Sequence, residues 1–118
     1  MSRNLNLYLN DILDSIKKIE SYTNNLTESE LLEDEKTLDA VTHNLMIIGE
    51  ATKNIPPEIR QKYEYIKWKQ IIGLRNIIAH TYFSLDYDII FDILSNKKLD
   101  ELQKVILLIL DQRLFFTS

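Results

Sequence analysis

The chain has 118 residues, 45% of them apolar and 27% charged, with a formal net charge of −4. That length suits one domain spanning residues 1–118, with apolar material for one core and too little for two, and the balance argues against general disorder. No cysteine is present, which removes disulfides, thiol nucleophiles and thiolate metal sites; the N-terminus has no signal-peptide h-region, no apolar run approaches the roughly 20 residues of a membrane span, and a cytoplasmic location is expected.

The periodicity is helical almost throughout. Leu5, Leu9, Ile12, Ile16 and Ile19 recur at three- and four-residue intervals with Asp11, Asp14, Lys17, Lys18 and Glu20 between them, which predicts an amphipathic first helix ending near residues 22–25. Thr27 followed by Glu30 has the form of a capping box and opens a short acidic turn or helix. A second long helix carries Leu38, Val41, Leu45, Ile48 and Ile55, with Gly49 and Ala51 as small residues where a neighbouring helix can approach closely.

Pro56-Pro57 ends that helix, because Pro56 disfavours the helical conformation at Ile55 while Pro57 suits the first turn of a new one. A short helix over about 58–63 follows. Trp68, Ile71, Ile72, Arg75, Ile78 and Ala79 then predict another helix, and two more are expected over about 87–96 and 99–115. Residues 77–90 are dense in β-branched and aromatic side chains and offer a strand alternative. They lack clean alternation and a hairpin turn, and the chain has only two glycines. The expected fold is therefore all-α, an up-down bundle of about five helices.

Charge is unevenly spread. Between Lys53 and Tyr82 six basic residues stand against two acidic ones, whereas the remainder has eight basic and sixteen acidic. The basic segment reads either as solvated helix faces or as a local attractor for a polyanion, with the acidic remainder limiting indiscriminate binding. It ends in Arg75-Asn76-Ile77-Ile78-Ala79-His80-Thr81-Tyr82, which holds one of the two histidines.

With Ile47-Ile48-Gly49-Glu50-Ala51 and Trp68-Lys69-Gln70-Ile71-Ile72-Gly73-Leu74 upstream, this motif resembles the HepT-like branch of the HEPN superfamily, over nearly the whole chain. The most specific element is the spacing of Arg75, His80 and Tyr82. His43 departs from the pattern, since relatives usually carry arginine there. The resemblance implies a dimeric HEPN-like helical fold and the toxin of a type VII-like toxin–antitoxin system. It implies a metal-independent endoribonuclease without cofactor, with Arg75 and His80 as the catalytic pair. It also implies a minimal nucleotidyltransferase antitoxin of the MntA type, which silences the toxin by transferring AMP from ATP to the motif tyrosine, here Tyr82.

The side chains are compatible with that chemistry. Cutting RNA without a metal needs a base for the 2′-OH proton, an acid for the leaving 5′-oxygen and a cation for the charged phosphorane. His80 can be base or acid near neutral pH, and Arg75 can grip phosphate oxygens bidentately. Asn76 can orient the imidazole or donate to phosphate, and Tyr82 can bind phosphate or stack on a base. On an ideal helix His80 lies about 40° from Asn76 but about 140° from Arg75, which makes one copy of the motif an awkward active site. Two copies across a two-fold axis supply two Arg and two His to one cleft, so a composite site at a homodimer interface is expected, with the apolar stretches 71–78 and 105–110 as either interface or core.

Each residue has a plainer role open to it. His80 suits a helix C-terminal cap, Arg75 an ion pair with Asp86 or Asp88, and Tyr82 packing against Phe83 and Tyr87. His43 reads chiefly as structural, on the flank of the interior-facing stripe, with joining the site as the lesser alternative; Glu50 reads chiefly as holding a backbone amide or Arg75 in place, with a catalytic role as the lesser one. The alternative function is a non-catalytic helical protein that docks a minimal nucleotidyltransferase. No two histidines stand at metal-ligand spacing, and no glycine-rich phosphate loop exists.

Overall fold

Among the described residues of the computed structural model, which are 2–76, 78, 88–95 and 97–117, the side chains of 2–4 and 113–117 excepted, the chain forms seven helical elements. They are α1 (Ser2–Thr23), α2 (Glu28–Glu33), α3 (Glu35–Thr52), α4 (Pro57–Lys62), α5 (Trp68–Ile72), α6 (Asp88–Ser95) and α7 (Lys98–Thr117). Residues 74–76 and 78 are also helical, and no strand occurs among the described residues. The all-α expectation holds. The elements outnumber the five of a simple bundle because α2, α4 and α5 are only five or six residues long. Of the span that offered a strand alternative, residues 78 and 88–90 are helical, and residues 77 and 79–87 lie outside the described residues.

The long helices form where the apolar spacing places them. All five members of the α1 stripe are buried, as are Leu38, Val41, Leu45 and Ile48 of α3. α1 packs chiefly along α3, and α7 closes on α1 from another side. Leu102, Val105, Ile106 and Ile109 of α7 join the same core, with Ile90 and Ile93 of α6. Fully burying a Leu or Ile side chain stabilises by about 1.5–3 kcal/mol, so the paired stripes of α1 and α3 supply much of the driving force. Within the 105–110 stretch Leu107 and Leu108 stay exposed while its other side is core; Ile71, Leu74 and Ile78 are all buried.

Local signals set the boundaries. The Thr27 capping box forms in full: the Glu30 N–H donates to Thr27 Oγ1 at 3.1 Å, and the Thr27 N–H donates to Glu30 Oε1 at 2.9 Å. Asp34 then caps α3 by accepting from the Thr37 N–H at 3.1 Å and the Thr37 hydroxyl at 2.8 Å. α3 ends at Thr52, three residues short of Ile55. The N–H groups of Asn54 and Ile55 turn to carbonyls only three residues back, Ala51 and Thr52, so the chain tightens before reaching the prolines. Pro57 opens α4 as its first residue.

The helix expected through 68–79 is broken at Gly73, where φ is −78° and ψ is 0°. The chain leaves α5 there and resumes helix at Leu74. Trp68 anchors the start of α5: its indole N–H donates to the carbonyls of Arg60 at 2.9 Å and Tyr63 at 3.0 Å. α5 is thereby tied to the end of α4, and the direction from which the motif begins is fixed. No described helix is long and apolar enough to cross a membrane.

Candidate active site

Gly49 brings the motif segment against α3. A β-carbon built there would stand 3.0 Å from the Ile71 carbonyl oxygen, 3.2 Å from Leu74 Cβ and 3.5 Å from the Ile72 carbonyl oxygen. Only a hydrogen fits, so the backbone of α5 lies almost on that of α3. This is the close approach that the small residues of Ile48-Gly49-Glu50-Ala51 predict. Leu74, next after Gly73, buries its side chain against this contact, and Arg75 then falls on the opposite, solvent side.

Arg75 emerges beside Glu50, the residue after Gly49. Its Nη1 donates to Glu50 Oε1 at 3.2 Å, with the two side chains 63% and 49% exposed. A pair so open to water contributes about 1 kcal/mol or less to stability. Its consequence is positional: Glu50 holds the guanidinium at the mouth of a cleft without desolvating it, and among the described residues no other carboxylate is shown to take up its remaining N–H groups. Of the roles open to Glu50, the structure shows the one that steadies Arg75. The ion partner of Arg75 seen among the described residues is thus Glu50 on α3; Asp86 lies outside the described residues.

The cleft has a volume of about 460 Å³ and is lined by Tyr8 and Asp11 of α1, His43, Glu50 and Asn54 of the α3 region, and Arg75. His43 corrects an expectation. It is exposed and faces the cleft instead of flanking the core. Helical geometry explains this: His43 is two residues from both Val41 and Leu45, hence about 160° from each around the helix, and about 20° from Glu50 seven residues on. The stripe His43, Ile47, Glu50, Asn54 was therefore legible in the spacing. Tyr8 and Asp11 were not, because they reach the cleft only through the packing of α1 on α3.

Of the expected site residues, Arg75 and Asn76 are helical and exposed, while His80 and Tyr82 lie outside the described residues. The arrangement presents one cation with its own counter-ion, a second carboxylate at Asp11, an exposed imidazole, a phenol and an amide around an open concavity. Such a set can receive an anionic ligand at Arg75 and offers groups able to move protons, His43 among them.

A family model described as ribonuclease HepT-like matches residues 12–109 of the chain. Among curated proteins, "Putative RNase MJ0127" of Methanocaldococcus jannaschii is 39% identical over 103 residues, covering 87% of this chain and 85% of that protein. "Probable ribonuclease HepT" of Thermococcus cleftensis is 36% identical over 91 residues, covering 77% and 83%. "Gamma-glutamylcyclotransferase and putative RNase MJ0434" of M. jannaschii is 38% identical over 112 residues; the match takes in 95% of this chain and only 50% of that protein. No solved structure matches the chain.

Proposed function

The chain belongs to the ribonuclease HepT-like family, and on that premise we propose that it is the toxin of a toxin–antitoxin pair, a metal-independent endoribonuclease that cuts RNA with Arg75 and His80. The observation that carries the reading is the placement of Arg75. The motif's cation is not consumed in a buried ion pair; Glu50 holds it exposed at the rim of a cleft, where a phosphate can reach it. Curated relatives across 72–95% of the chain carry RNase names.

In this mechanism one His80 takes the proton of a ribose 2′-OH, and the freed oxygen attacks the adjacent phosphorus. A second His80, from the other copy of a homodimer, protonates the departing 5′-oxygen as its bond to phosphorus breaks. Arg75 neutralises the charge that develops on the phosphorane oxygens. The products are a 2′,3′-cyclic phosphate and a free 5′-hydroxyl. Asn76, exposed on the same segment, orients imidazole or donates to phosphate. A two-fold arrangement is supported by the expectation that on an ideal helix Arg75 and His80 stand about 140° apart, and Leu107 and Leu108 offer apolar surface for such an assembly.

Silencing is by a minimal nucleotidyltransferase antitoxin that adenylylates Tyr82. The phenol oxygen bonds to the α-phosphorus of ATP and pyrophosphate leaves. Each AMP so added brings a phosphodiester charge to the entrance that must receive RNA phosphate, so substrate is repelled.

The test is cleavage of labelled total RNA in excess EDTA by wild type and by His80→Ala, after intact-mass measurement has shown the protein to be unmodified. Cutting that leaves 2′,3′-cyclic ends and vanishes in the variant is the expected result. A folded, dimeric, unmodified wild type that cuts nothing would sink the enzymatic reading in favour of a docking protein for the transferase.

A further inference from the structure

A second surface, away from the Arg75 cleft, has the composition of a nucleic-acid track. Ile66, Lys67, Trp68, Lys69, Gln70 and Lys98 line an open groove of about 580 Å³. Ile66 and Trp68 are buried and form its floor, while Lys67 and Lys69 stand exposed at its sides. Among the described residues neither of these lysines meets a carboxylate. Lys98 does: its Nζ lies 2.7 Å from Asp92 Oδ2 and 3.1 Å from Gln70 Oε1, which fixes that wall of the groove and cancels its charge. Lys62 and Glu64 are exposed nearby in the chain, so the segment keeps an excess of positive charge.

Tyr65 gives the groove its character. At 62% exposure it is the most exposed of the large hydrophobic side chains among the described residues, and it immediately precedes Ile66. Tyr65 is not itself a lining residue of the groove, but an exposed aromatic ring one residue from a lysine-lined groove offers the pairing by which proteins hold single strands, the base stacking on the ring and the backbone following the cations. Trp68 cannot serve as that platform, because it is buried and its N–H is committed to Arg60 and Tyr63. Acidic polypeptides would use the lysines but have no need of the ring.

We propose that the groove lined by Lys67 and Lys69, with the exposed Tyr65 adjoining it in the chain, binds single-stranded RNA and feeds it toward Arg75. The choice of RNA as ligand rests on the ribonuclease reading. Lys69 and Arg75 are six residues apart, so their Cα atoms lie within about 22 Å of one another. Because 68–72 and 74–76 are helical, the separation is well inside that limit, and a strand of a few nucleotides spans it. The groove thus serves any sequence, and its cations act on substrate binding instead of on the chemical step.

Binding of a fluorescent, 2′-O-methylated RNA of about twelve nucleotides, a length within the range of known single-strand sites, tests this with the full chain, since that RNA has no hydroxyl to attack. Lys67→Gln/Lys69→Gln should weaken binding and lower the slope of log K against log salt by about 1.4, at roughly 0.7 per lost phosphate contact. Tyr65→Ala should weaken it by about 5- to 100-fold, the loss of one stacked base. All three side chains are exposed, so the variants fold, which circular dichroism checks. A dinucleotide too short to reach the groove should be cut by the variants at the wild-type rate. Wild-type affinity and slope in both variants would overturn the proposal. Weakening by the lysine changes with none from Tyr65→Ala would overturn it too, in favour of an acidic polypeptide ligand. Groove-dependent binding by a chain that cuts no RNA would keep the groove and discard the ribonuclease reading.

Discussion

Gly49→Ala should destabilise the protein, although helix propensity alone argues the reverse. Replacing an interior helical glycine by alanine is worth up to about 1 kcal/mol in favour of the variant. Against this, the new methyl would lie 3.0 Å from the Ile71 carbonyl oxygen and 3.2 Å from Leu74 Cβ. The nearer contact is backbone, so no side-chain rotation relieves it, and α5 must move off α3 by a few tenths of an ångström. Overpacking of this kind costs about 1–3 kcal/mol, and the rigid contact places Gly49 in the upper part of that range, for a net loss of about 1–2 kcal/mol. For a chain of this size the melting temperature should fall by about 3–8 °C. Thermal unfolding followed by circular dichroism measures it. A melting temperature equal to or above wild type would show that α5 has room to give, and would refute the account of how the motif is held.

Thr52 is fully buried, and its hydroxyl has no hydrogen-bond partner among the described residues. Thr52→Val keeps the shape, removes a desolvated hydroxyl and should stabilise by about 1 kcal/mol, read from urea unfolding. Trp68→Phe deletes the N–H shared by the Arg60 and Tyr63 carbonyls and should cost about 1 kcal/mol in the same assay. Arg75→Ala should change stability by less than about 1 kcal/mol while abolishing cleavage; a marked drop in stability would mark Arg75 as structural. The Thr37 N–H, then its hydroxyl, with a smaller contribution from Lys36, hold the Asp34 carboxyl below its ordinary value of 3.8 despite a small opposing effect of burial. Because the folded value is the lower one, the stability it brings is present above about pH 4 and is lost as pH falls through the folded value. In Thr37→Ala the backbone donor remains, so NMR titration should find Asp34 raised only part of the way back.

Most of the fold was legible because its signals are local. The α1 and α3 stripes, the Thr27 capping box and the start of α4 at Pro57 each depend on residues within a turn or two of one another and appear where the spacing puts them, whereas α3 ends at Thr52, before the prolines are reached. The break at Gly73 was missed because one glycine costs a helix only about 1 kcal/mol, a penalty that continuous apolar spacing from Trp68 to Ile78 conceals. Its cause is tertiary: Trp68 is anchored to α4, and Leu74 must seat against Gly49. The candidate site divides along the same line. Arg75 and Glu50 were named from motifs, and the helical period alone would have placed His43 with Glu50. Tyr8 and Asp11 come from α1, about forty residues from Glu50 along the chain, and no local rule connects them.

The neighbouring residues Gly49 and Glu50 assign two different jobs to one turn of α3. Gly49 faces the motif segment and admits its backbone, so the motif's position depends on the absence of a side chain. Glu50, turned about 100° from it, reaches the exposed side and takes hold of Arg75. Neither job can be moved without the other: a helix kept off by a larger residue at 49 would carry Arg75 away from Glu50, and without Glu50 the guanidinium would sample solvent freely. The core therefore sets the position of the site's cation through a contact that excludes water, and its orientation is set by a pair that water weakens. On the proposed mechanism, that division would let Arg75 exchange Glu50 for phosphate at little cost, since an ion pair so exposed holds it by about 1 kcal/mol or less, while α3 and the motif segment stay packed.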